Sequence, residues 1–251
     1  MRPPGKAQVL SGFHAVEARL AAAPRTIEIV YVDDERRDAR MRELRSRLDR
    51  AGIRWAPVDG ERLRGLAPGA PHQGVVALCE PWAPQFGFDD LLDSVGPTTL
   101  LLLLDGITDP RNLGACLRSA DAAGVTAVVL PRDRSAKLTP EAARAAAGAA
   151  EAVPLVAVTN LARSMRELRD AGVRIVGAAG EAGRAIYDVD LTGPVGWAVG
   201  AEGGGLRRLT RENCDELASI PLAGTVASLN VAVAAAVCLF ETVRQRRPVA
   251  A

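Results

Sequence analysis

The stretch that decides the fold runs from Val195 to Arg246 and reads VGWAVGAEGGGLRRLTRENCDELASIPLAGTVASLNVAVAAAVCLFETVRQR. The pattern predicts an apolar strand at 195–199, followed by a glycine-rich turn at 200–205. It then predicts a second short strand at 217–221, another turn at 222–226 and a long apolar helix from about Ser228 onward. Both turns follow strands, and open α/β sheets bind ligands at the carboxyl ends of their strands. Glycine lets main-chain N–H groups approach a ligand closely, but a tight turn without a ligand explains a single glycine run better.

Upstream of this stretch, from Thr98, strand and helix signals alternate. The run TLLLLLD, ending at Asp105, is typical of a strand buried on both faces of a parallel sheet. Asn112 is a plausible N-cap of the next helix and Gly124 a plausible end signal. Further strands are predicted at 126–130, 153–158 and 173–178, and helices at 140–150 and 160–171. About six parallel strands with crossover helices indicate an open α/β sheet.

Residues 1–80 show shorter alternating elements and are predicted to form a separate small α/β domain. Residues 81–97, with three prolines and two glycines, are predicted to be a linker with a short helical piece, and residues 98–251 to be the main domain. In the small domain, the helix around 36–50 carries seven arginines against three acids. This pattern fits a solvated helix face or a surface that contacts phosphates, and the sequence leaves both open.

Composition is that of an ordinary soluble protein, with 251 residues, 48% hydrophobic and 24% charged. The net charge of +1 gives no global signal for nucleic acid, so any such signal must be local. The four cysteines form no C-x-x-C pair, which argues against a zinc site or a disulfide framework and favours a reducing compartment. No secretory signal or membrane-length apolar run is present, so we expect a cytoplasmic protein.

Five polar residues are candidates for chemistry because they fall at predicted strand ends or helix starts: Asn112, Arg118, Glu202, Ser228 and Asn230. Four of them also have a plain explanation. Asn112 and Ser228 fit simple helix caps, Arg118 a surface arginine, and Glu202 a solvated turn residue. The sequence contains no phosphate-loop signature, and no Ser–His–Asp set or metal triad is apparent.

Three blocks of the main domain, taken together, resemble the three motifs of the SpoU (TrmH-type) branch of the SPOUT superfamily of RNA methyltransferases. They are DPRNLGACLRSA from Asp109, VGAEGGGL from Val199 and IPLAGTVASLNVAVA from Ile220. Their order, spacing and late position in the chain all agree with that family.

The resemblance covers nearly the whole chain. The segments GFHAVEA from Gly12 and HQGVVA from His72 are similar to the small RNA-binding domain of the ribosomal branch, which has the fold of ribosomal proteins L30e and L7Ae. The block GAAEAVPL from Gly148 fits as well. The resemblance points to the 23S rRNA guanosine-2′-O-methyltransferases, which modify a guanosine in the peptidyl-transferase P loop. It implies an α/β fold with a C-terminal trefoil knot and a largely parallel sheet.

The resemblance also implies S-adenosylmethionine as methyl donor and no metal. By analogy, main-chain groups around Gly200, Ile220 and Leu229 hold the donor. Arg118 resembles the family arginine proposed to assist deprotonation of the ribose hydroxyl. Because arginine is a poor base, we expect it to orient the ribose or the adjacent phosphate, and we expect Asn112, Glu202, Ser228 and Asn230 to orient Arg118 and the substrate through hydrogen bonds. One departure is Gly204, where many relatives carry Glu. Because Glu202 is retained, we expect activity to persist.

The expected partners are 23S rRNA or a precursor of the large ribosomal subunit, with no membrane, and a second copy of the chain bound through the C-terminal domain. The apolar helix 229–243 is a candidate for that contact, although intrachain packing explains its pattern equally well. Two alternatives stay open: a tRNA guanosine-2′-O-methyltransferase, and an RNA-binding assembly factor without catalysis. A dinucleotide-binding oxidoreductase is disfavoured because no G-x-G-x-x-G follows the first strand of the main domain.

Overall fold

The computed structural model describes residues 8–80, 86–201 and 203–247. The chain divides into two compact units, Met1–Pro84 and Gln85–Ala251. Among the described residues, no helix combines the length and the apolar character that crossing a membrane requires.

The described residues of the N-terminal unit, 8–80, form a four-stranded mixed sheet and three α-helices. Its elements are β1 (Gln8–Ser11), α1 (Phe13–Ala22), β2 (Ile27–Asp33), α2 (Ala39–Arg50), β3 (Trp55–Val58), α3 (Gly60–Leu66) and β4 (Val75–Cys79). The strand order is β1-β4-β2-β3, with only the β2–β3 pair parallel. The predicted small α/β fold is thereby confirmed.

Helix α2 is the arginine-rich helix of this unit. Asp38 caps it by accepting a hydrogen bond from the Met41 main-chain N–H at 3.1 Å, so the helix begins a few residues later than the charge pattern suggests. Met41, Leu44 and Leu48 form its buried face, with the arginines around it. This spacing of three and four residues is that of an amphipathic helix on a core.

The C-terminal unit contains six strands and seven helices among its described residues. They are α4 (Phe88–Asp93), β5 (Leu100–Asp105), α5 (Pro110–Ala122), β6 (Ala127–Pro131), α6 (Pro140–Ala146), α7 (Ala149–Ala152), β7 (Leu155–Val158), α8 (Leu161–Asp170), β8 (Arg174–Ala178), β9 (Val195–Gly200), α9 (Arg208–Glu212), β10 (Glu216–Ala218) and α10 (Val231–Arg246). The order β10-β8-β9-β5-β6-β7 is parallel throughout, which confirms the predicted parallel α/β sheet. Helix α4 falls in the predicted linker, yet its Leu91 is fully buried in this unit.

Strand β5 lies in the middle of this sheet and is covered on both faces. Alternate leucines point to opposite sides: Leu100, Leu102 and Leu104 join the core beneath α5 and α10, and Leu101 and Leu103 the core beneath α8. Because the strand is buried on both faces, its sequence is a continuous apolar run with no alternating polar residues.

Helix α5 begins earlier than the sequence suggested. Asp109, not Asn112, is its N-cap: the Asp109 carboxylate accepts from the Arg111 main-chain N–H at 2.8 Å, and Pro110 occupies the first helical position. The interpretation of Asn112 as a cap is therefore wrong. Asn112 lies inside the first turn, which leaves its side chain available for another partner.

The helix predicted at 140–150 is two helices. Ala147 and Gly148 both adopt left-handed backbone angles, with φ of +50° and +98°, and separate α6 from α7. The alanine-rich composition hides this break, because alanine favours helix on both sides of it.

Helix α10 is capped by Asn230, whose Oδ1 accepts from the main-chain N–H groups of Ala232 and Val233 at 3.0 and 3.4 Å. Ser228 is therefore not the cap, and the helix begins at Val231. The indole N–H of the fully buried Trp197 donates to Thr242 Oγ1 at 2.8 Å and ties α10 to β9.

Candidate active site

A cavity of about 540 Å³ lies at the carboxyl edge of the C-terminal sheet. Strands β10, β8 and β9 are neighbours and parallel, so the segments that follow them meet there. The wall is formed by four groups of residues: 178–181 at the end of β8 and beyond it, 199–201 and 203–206 around the turn after β9, Ile220, Leu222 and 227–229 after β10, and three helix residues, Arg211, Val231 and Ala234. Its volume lies in the range typical of sites for small organic ligands.

The three residues predicted to hold the methyl donor all line this cavity: Gly200, Ile220 and Leu229. At Gly200 the end of β9 touches the far end of its own turn. A Cβ on Gly200 would lie 2.0 Å from the Gly205 carbonyl carbon and oxygen, so only glycine fits. The turn is closed by a main-chain hydrogen bond from the Gly205 N–H to the Ala201 carbonyl at 2.9 Å.

Two predicted catalytic residues meet beside the cavity. Asn230 Nδ2 donates to Asn112 Oδ1 at 3.0 Å and joins the first turns of α10 and α5. Leu229 and Val231, on either side of Asn230, both line the cavity, so the asparagine pair lies at its rim. The capping bonds of Asn230 fix the position of that amide.

Arg118 is exposed on α5 and does not line the cavity. It lies six residues beyond Asn112, about 9 Å along the helix axis. Within the described parts of the chain, its side chain forms no hydrogen bond or ion pair. Its guanidinium group is therefore available to an external anion.

Of the other predicted residues, Ser228 lines the cavity and is exposed. Glu202 lies outside the described residues, and its predicted role stays a prediction. Gly204, the departure from the family pattern, lies in the cavity wall with open space around its Cα.

The cavity wall contains a charged pair that no sequence motif indicated. Glu181, after β8, forms an ion pair with Arg211 of α9. The hydrogen bond from Arg211 lowers the pKa of the Glu181 carboxyl below its ordinary value, so that carboxylate stays charged at neutral pH. Neither residue belongs to a motif, which explains why the sequence interpretation missed both.

A second missed pair anchors the glycine turn. Asp105, at the end of β5, is 1% exposed and pairs with Gly200 in the sheet register. Its Oδ2 accepts from the Arg207 main-chain N–H at 2.8 Å, and its Oδ1 lies 3.6 Å from Arg207 Nη1. A buried carboxylate therefore holds the residue that follows the turn.

A more open groove of about 620 Å³ lies around Arg174, the first residue of β8. Its arginines are partly neutralised, as in the 2.7 Å pair of Arg169 with Asp215. None of the predicted site residues that the structure describes lines this groove, so the cavity at the carboxyl edge is the candidate active site.

Comparison with known proteins shows which family and which relatives this chain resembles. Residues 99–240 match the model of the SpoU rRNA methylase family, and residues 9–85 match a domain described as RNA 2′-O ribose methyltransferase substrate binding. The 23S rRNA (guanosine-2′-O-)-methyltransferase RlmB of Bordetella pertussis is 55% identical over 240 residues, 96% of this chain and 98% of that protein. The protein of the same name from Escherichia coli K12 is 50% identical over 241 residues, 95% of this chain and 99% of that protein.

A solved structure extends the comparison to the methyl donor. The SpoU methyltransferase AviRb from Streptomyces viridochromogenes, in complex with the cofactor AdoMet (S-adenosylmethionine), superposes with a TM-score of 0.75 at 29% identity. The match covers 96% of this chain and 91% of that one.

Proposed function

This chain belongs to the SpoU rRNA methylase family, and we propose that it methylates the ribose 2′-hydroxyl of a guanosine in 23S rRNA, within the peptidyl-transferase P loop. The nature of the RNA and of the nucleotide rests on relatives at 50–55% identity along nearly the full length. The P loop as target rests on the family resemblance alone.

The observation that carries the chemistry is the convergence of the three motif blocks. The turn after β9 and the segment after β10 share one cavity, and Asn112 of the first block bonds to Asn230 of the third at its rim. A site for a small ligand thus lies beside polar groups that suit a ribose.

The cavity wall fits S-adenosylmethionine. Ile220 and Leu229 supply apolar surface for the adenine, and the main chain around Gly200 approaches without side-chain obstruction. The donor supplies a methyl group on a sulfonium, which is a good leaving group. The protein's task is therefore to place the hydroxyl in line with that methyl.

The 2′-hydroxyl is a poor nucleophile and must lose its proton during attack. Arginine is a poor base, since its guanidinium group stays protonated at physiological pH. We therefore assign Arg118 to binding the ribose or its adjacent phosphate, with the phosphate helping to activate the hydroxyl. Asn112, Ser228, Asn230 and Glu202 orient the nucleotide through hydrogen bonds. No metal takes part in this scheme.

The N-terminal unit is proposed to bind the RNA, in line with the substrate-binding domain that it matches. The assignment of residues 1–80 to that domain, 81–97 to a linker and 98–251 to the methyltransferase domain stays a prediction. The substrate is either free 23S rRNA or a precursor of the large subunit, and both place the enzyme in the cytoplasm.

We also propose a homodimer through the C-terminal unit. On helix α10 two large apolar side chains are exposed to solvent: Val233 is 49% exposed and Phe240 is 45% exposed. They are seven residues apart and therefore lie on the same face of the helix. This face starts three residues from Asn230, so a partner bound there would lie beside the active site. The trefoil knot around the cavity also stays a prediction.

The test is methyl transfer from labelled S-adenosylmethionine to protein-free 23S rRNA and to bulk tRNA in parallel. Label in the 23S rRNA alone supports the proposal. Label in tRNA alone would keep the chemistry and overturn the substrate. If S-adenosylmethionine binds but no methyl group is transferred to either RNA, the same assay is repeated with precursor particles of the large subunit. If S-adenosylmethionine does not bind at all, the proposed enzymatic activity is contradicted and an RNA-binding factor is favoured.

A further inference from the structure

The loop between β6 and α6 carries a local excess of positive charge. Residues 132–139 read RDRSAKLT, with three cations and one carboxylate, while the whole chain carries a net charge of only +1. The side chains of Arg132, Arg134 and Lys137 are exposed. Across residues 86–201 and 203–247, none of the three forms a hydrogen bond or an ion pair through its side chain.

The neighbouring Arg111 provides a contrast. Its Nε lies 3.2 Å from a carboxylate oxygen of Glu141, in the first turn of α6. In this region the charge of Arg111 is therefore balanced by a carboxylate within the fold. The three cations of the loop face solvent and can contact an external anion.

The loop lies on the same edge of the sheet as the active site. Strand β6 is parallel to β5, so the carboxyl ends of both strands lie at the same edge of the sheet. The loop after β6 and the segment from β5 to α5 therefore start side by side at that edge. The Ala136 main-chain N–H donates to the Ile107 carbonyl at 2.6 Å, and Ala136 is buried. Ile107 precedes Asn112 by five residues. The cations thus border the helix that carries Asn112 and Arg118.

The backbone of this loop is held in a defined conformation. Arg134 has φ of +57°, a left-handed conformation that non-glycine residues seldom adopt. At one end the Arg132 N–H donates to the Val158 carbonyl at 2.7 Å, and at the other Thr139 caps α6. Strained backbone conformations cost free energy and are concentrated at functional sites.

We propose that Arg132, Arg134 and Lys137 form a phosphate-contact surface for the RNA strand that flanks the target ribose. This inference rests on the proposed function, since that function makes RNA the polyanion brought to this edge. Contacts from arginine and lysine to phosphates position a nucleic acid without reading its bases. The loop therefore sets how the strand lies over the cavity, and base recognition falls to other residues.

The test is a variant with Arg132→Ala, Arg134→Gly and Lys137→Ala. Glycine is chosen at position 134 because it adopts the left-handed conformation without strain, so the variant is expected to fold. A second variant keeps the charge, with Arg132→Lys, Arg134→Lys and Lys137→Arg. A third, Arg163→Ala with Arg166→Ala, removes exposed cations from α8 on the opposite face of the sheet.

Binding of a protein-free 23S rRNA transcript is measured against KCl concentration, and binding of S-adenosylmethionine separately. The loop variant should bind the transcript at least about tenfold more weakly, with the slope of log K against log salt reduced by about two to three. Its affinity for S-adenosylmethionine should equal that of the wild type. The charge-keeping and α8 variants should retain most of the affinity and the slope.

Unchanged affinity and slope in the loop variant would overturn the phosphate-contact surface, even if the wild type methylates 23S rRNA. A loop-dependent slope in a wild type that transfers no methyl group would support the surface and contradict the proposed function. The two ideas can therefore fail separately.

Discussion

Asn230 and Asn112, 118 residues apart in the chain, share a hydrogen bond of 3.0 Å from Nδ2 to Oδ1. The same Asn230 side chain caps α10 through its Oδ1. Asn230 therefore lies at the rim of the cavity, caps the last helix and is hydrogen-bonded to the first turn of α5.

Asn230→Ser separates the two roles, because serine caps helices well but is too short to reach Asn112. We expect the free energy of unfolding to stay within about 0.5 kcal/mol of the wild type, while turnover falls about five- to tenfold as one orienting hydrogen bond is lost. Asn230→Ala should lose about 1 kcal/mol of stability as well. Urea denaturation and single-turnover methyl transfer measure the two effects. Equal turnover in the wild type and the serine variant would contradict the orienting role.

Arg118→Ala should leave folding unchanged within about 0.5 kcal/mol, because the side chain is exposed and has no partner in the described structure. Turnover should fall by about 100-fold or more, the scale of removing one group that stabilises a transition state. Binding of S-adenosylmethionine should persist. Arg118→Lys is the matched control and should recover part of the turnover. Full turnover in the alanine variant would rule out the assigned role.

Gly200→Ala should abolish donor binding, because its Cβ would lie 2.0 Å from the main chain of Gly205. Gly204→Ala is a strict control: it lies in the same turn, lines the same cavity and has open space for a Cβ. Calorimetric titration with S-adenosylmethionine should show no binding for the first variant and near wild-type affinity for the second. Equal binding by both would mean that the turn does not contact the donor.

Asp105→Ala should destabilise the C-terminal unit by about 2–3 kcal/mol, because the Arg207 N–H loses a buried acceptor. Since Asp105 anchors the residue after the glycine turn, affinity for S-adenosylmethionine should fall in parallel. Asp105→Asn keeps an oxygen for that N–H and should lose about 1 kcal/mol. Denaturation curves and donor titrations check both. Wild-type donor affinity in the alanine variant would show that the turn does not need this anchor.

Val233→Ser combined with Phe240→Glu should convert a dimer into monomers without unfolding it, because both positions are substantially exposed in the single chain. Leu209→Glu on α9, where the leucine is 51% exposed, is the matched control and should stay dimeric. Sedimentation velocity distinguishes the two states. A monomeric wild type, or a double variant that remains dimeric, would remove α10 from the proposed interface.

The parallel sheet could be predicted because the relevant signals are local. The apolar run Leu100–Leu104 is short and lies between Pro97 and Gly106, which favours a strand buried on both faces over a buried helix. The cavity could be predicted at the right sheet edge for a related reason, since Gly200 and Leu229 follow strands that end at one edge. The caps were misassigned although a signal was present. Asp109 followed by Pro110 is a typical helix start, with proline at the first helical position.

Other features depend on three-dimensional neighbours that no pattern marks. Glu181 and Arg211 are ordinary charged residues until β8 and α9 bring them together. The bond of Asn230 to Asn112 requires two helices from opposite ends of the domain to begin side by side. The break between α6 and α7 at Ala147 lies in a run of alanines, which favours helix throughout. Gly148 was therefore the one local signal of that break.

The most direct measurement is the position of the methyl group on 23S rRNA. The purified protein is incubated with S-adenosylmethionine and a 23S rRNA transcript, and the product is cleaved with alkali, which a 2′-O-methylated linkage resists. The account predicts one resistant linkage, at a guanosine of the peptidyl-transferase P loop, absent with Arg118→Ala. A methyl group on a base, or resistance only outside that loop, would contradict it.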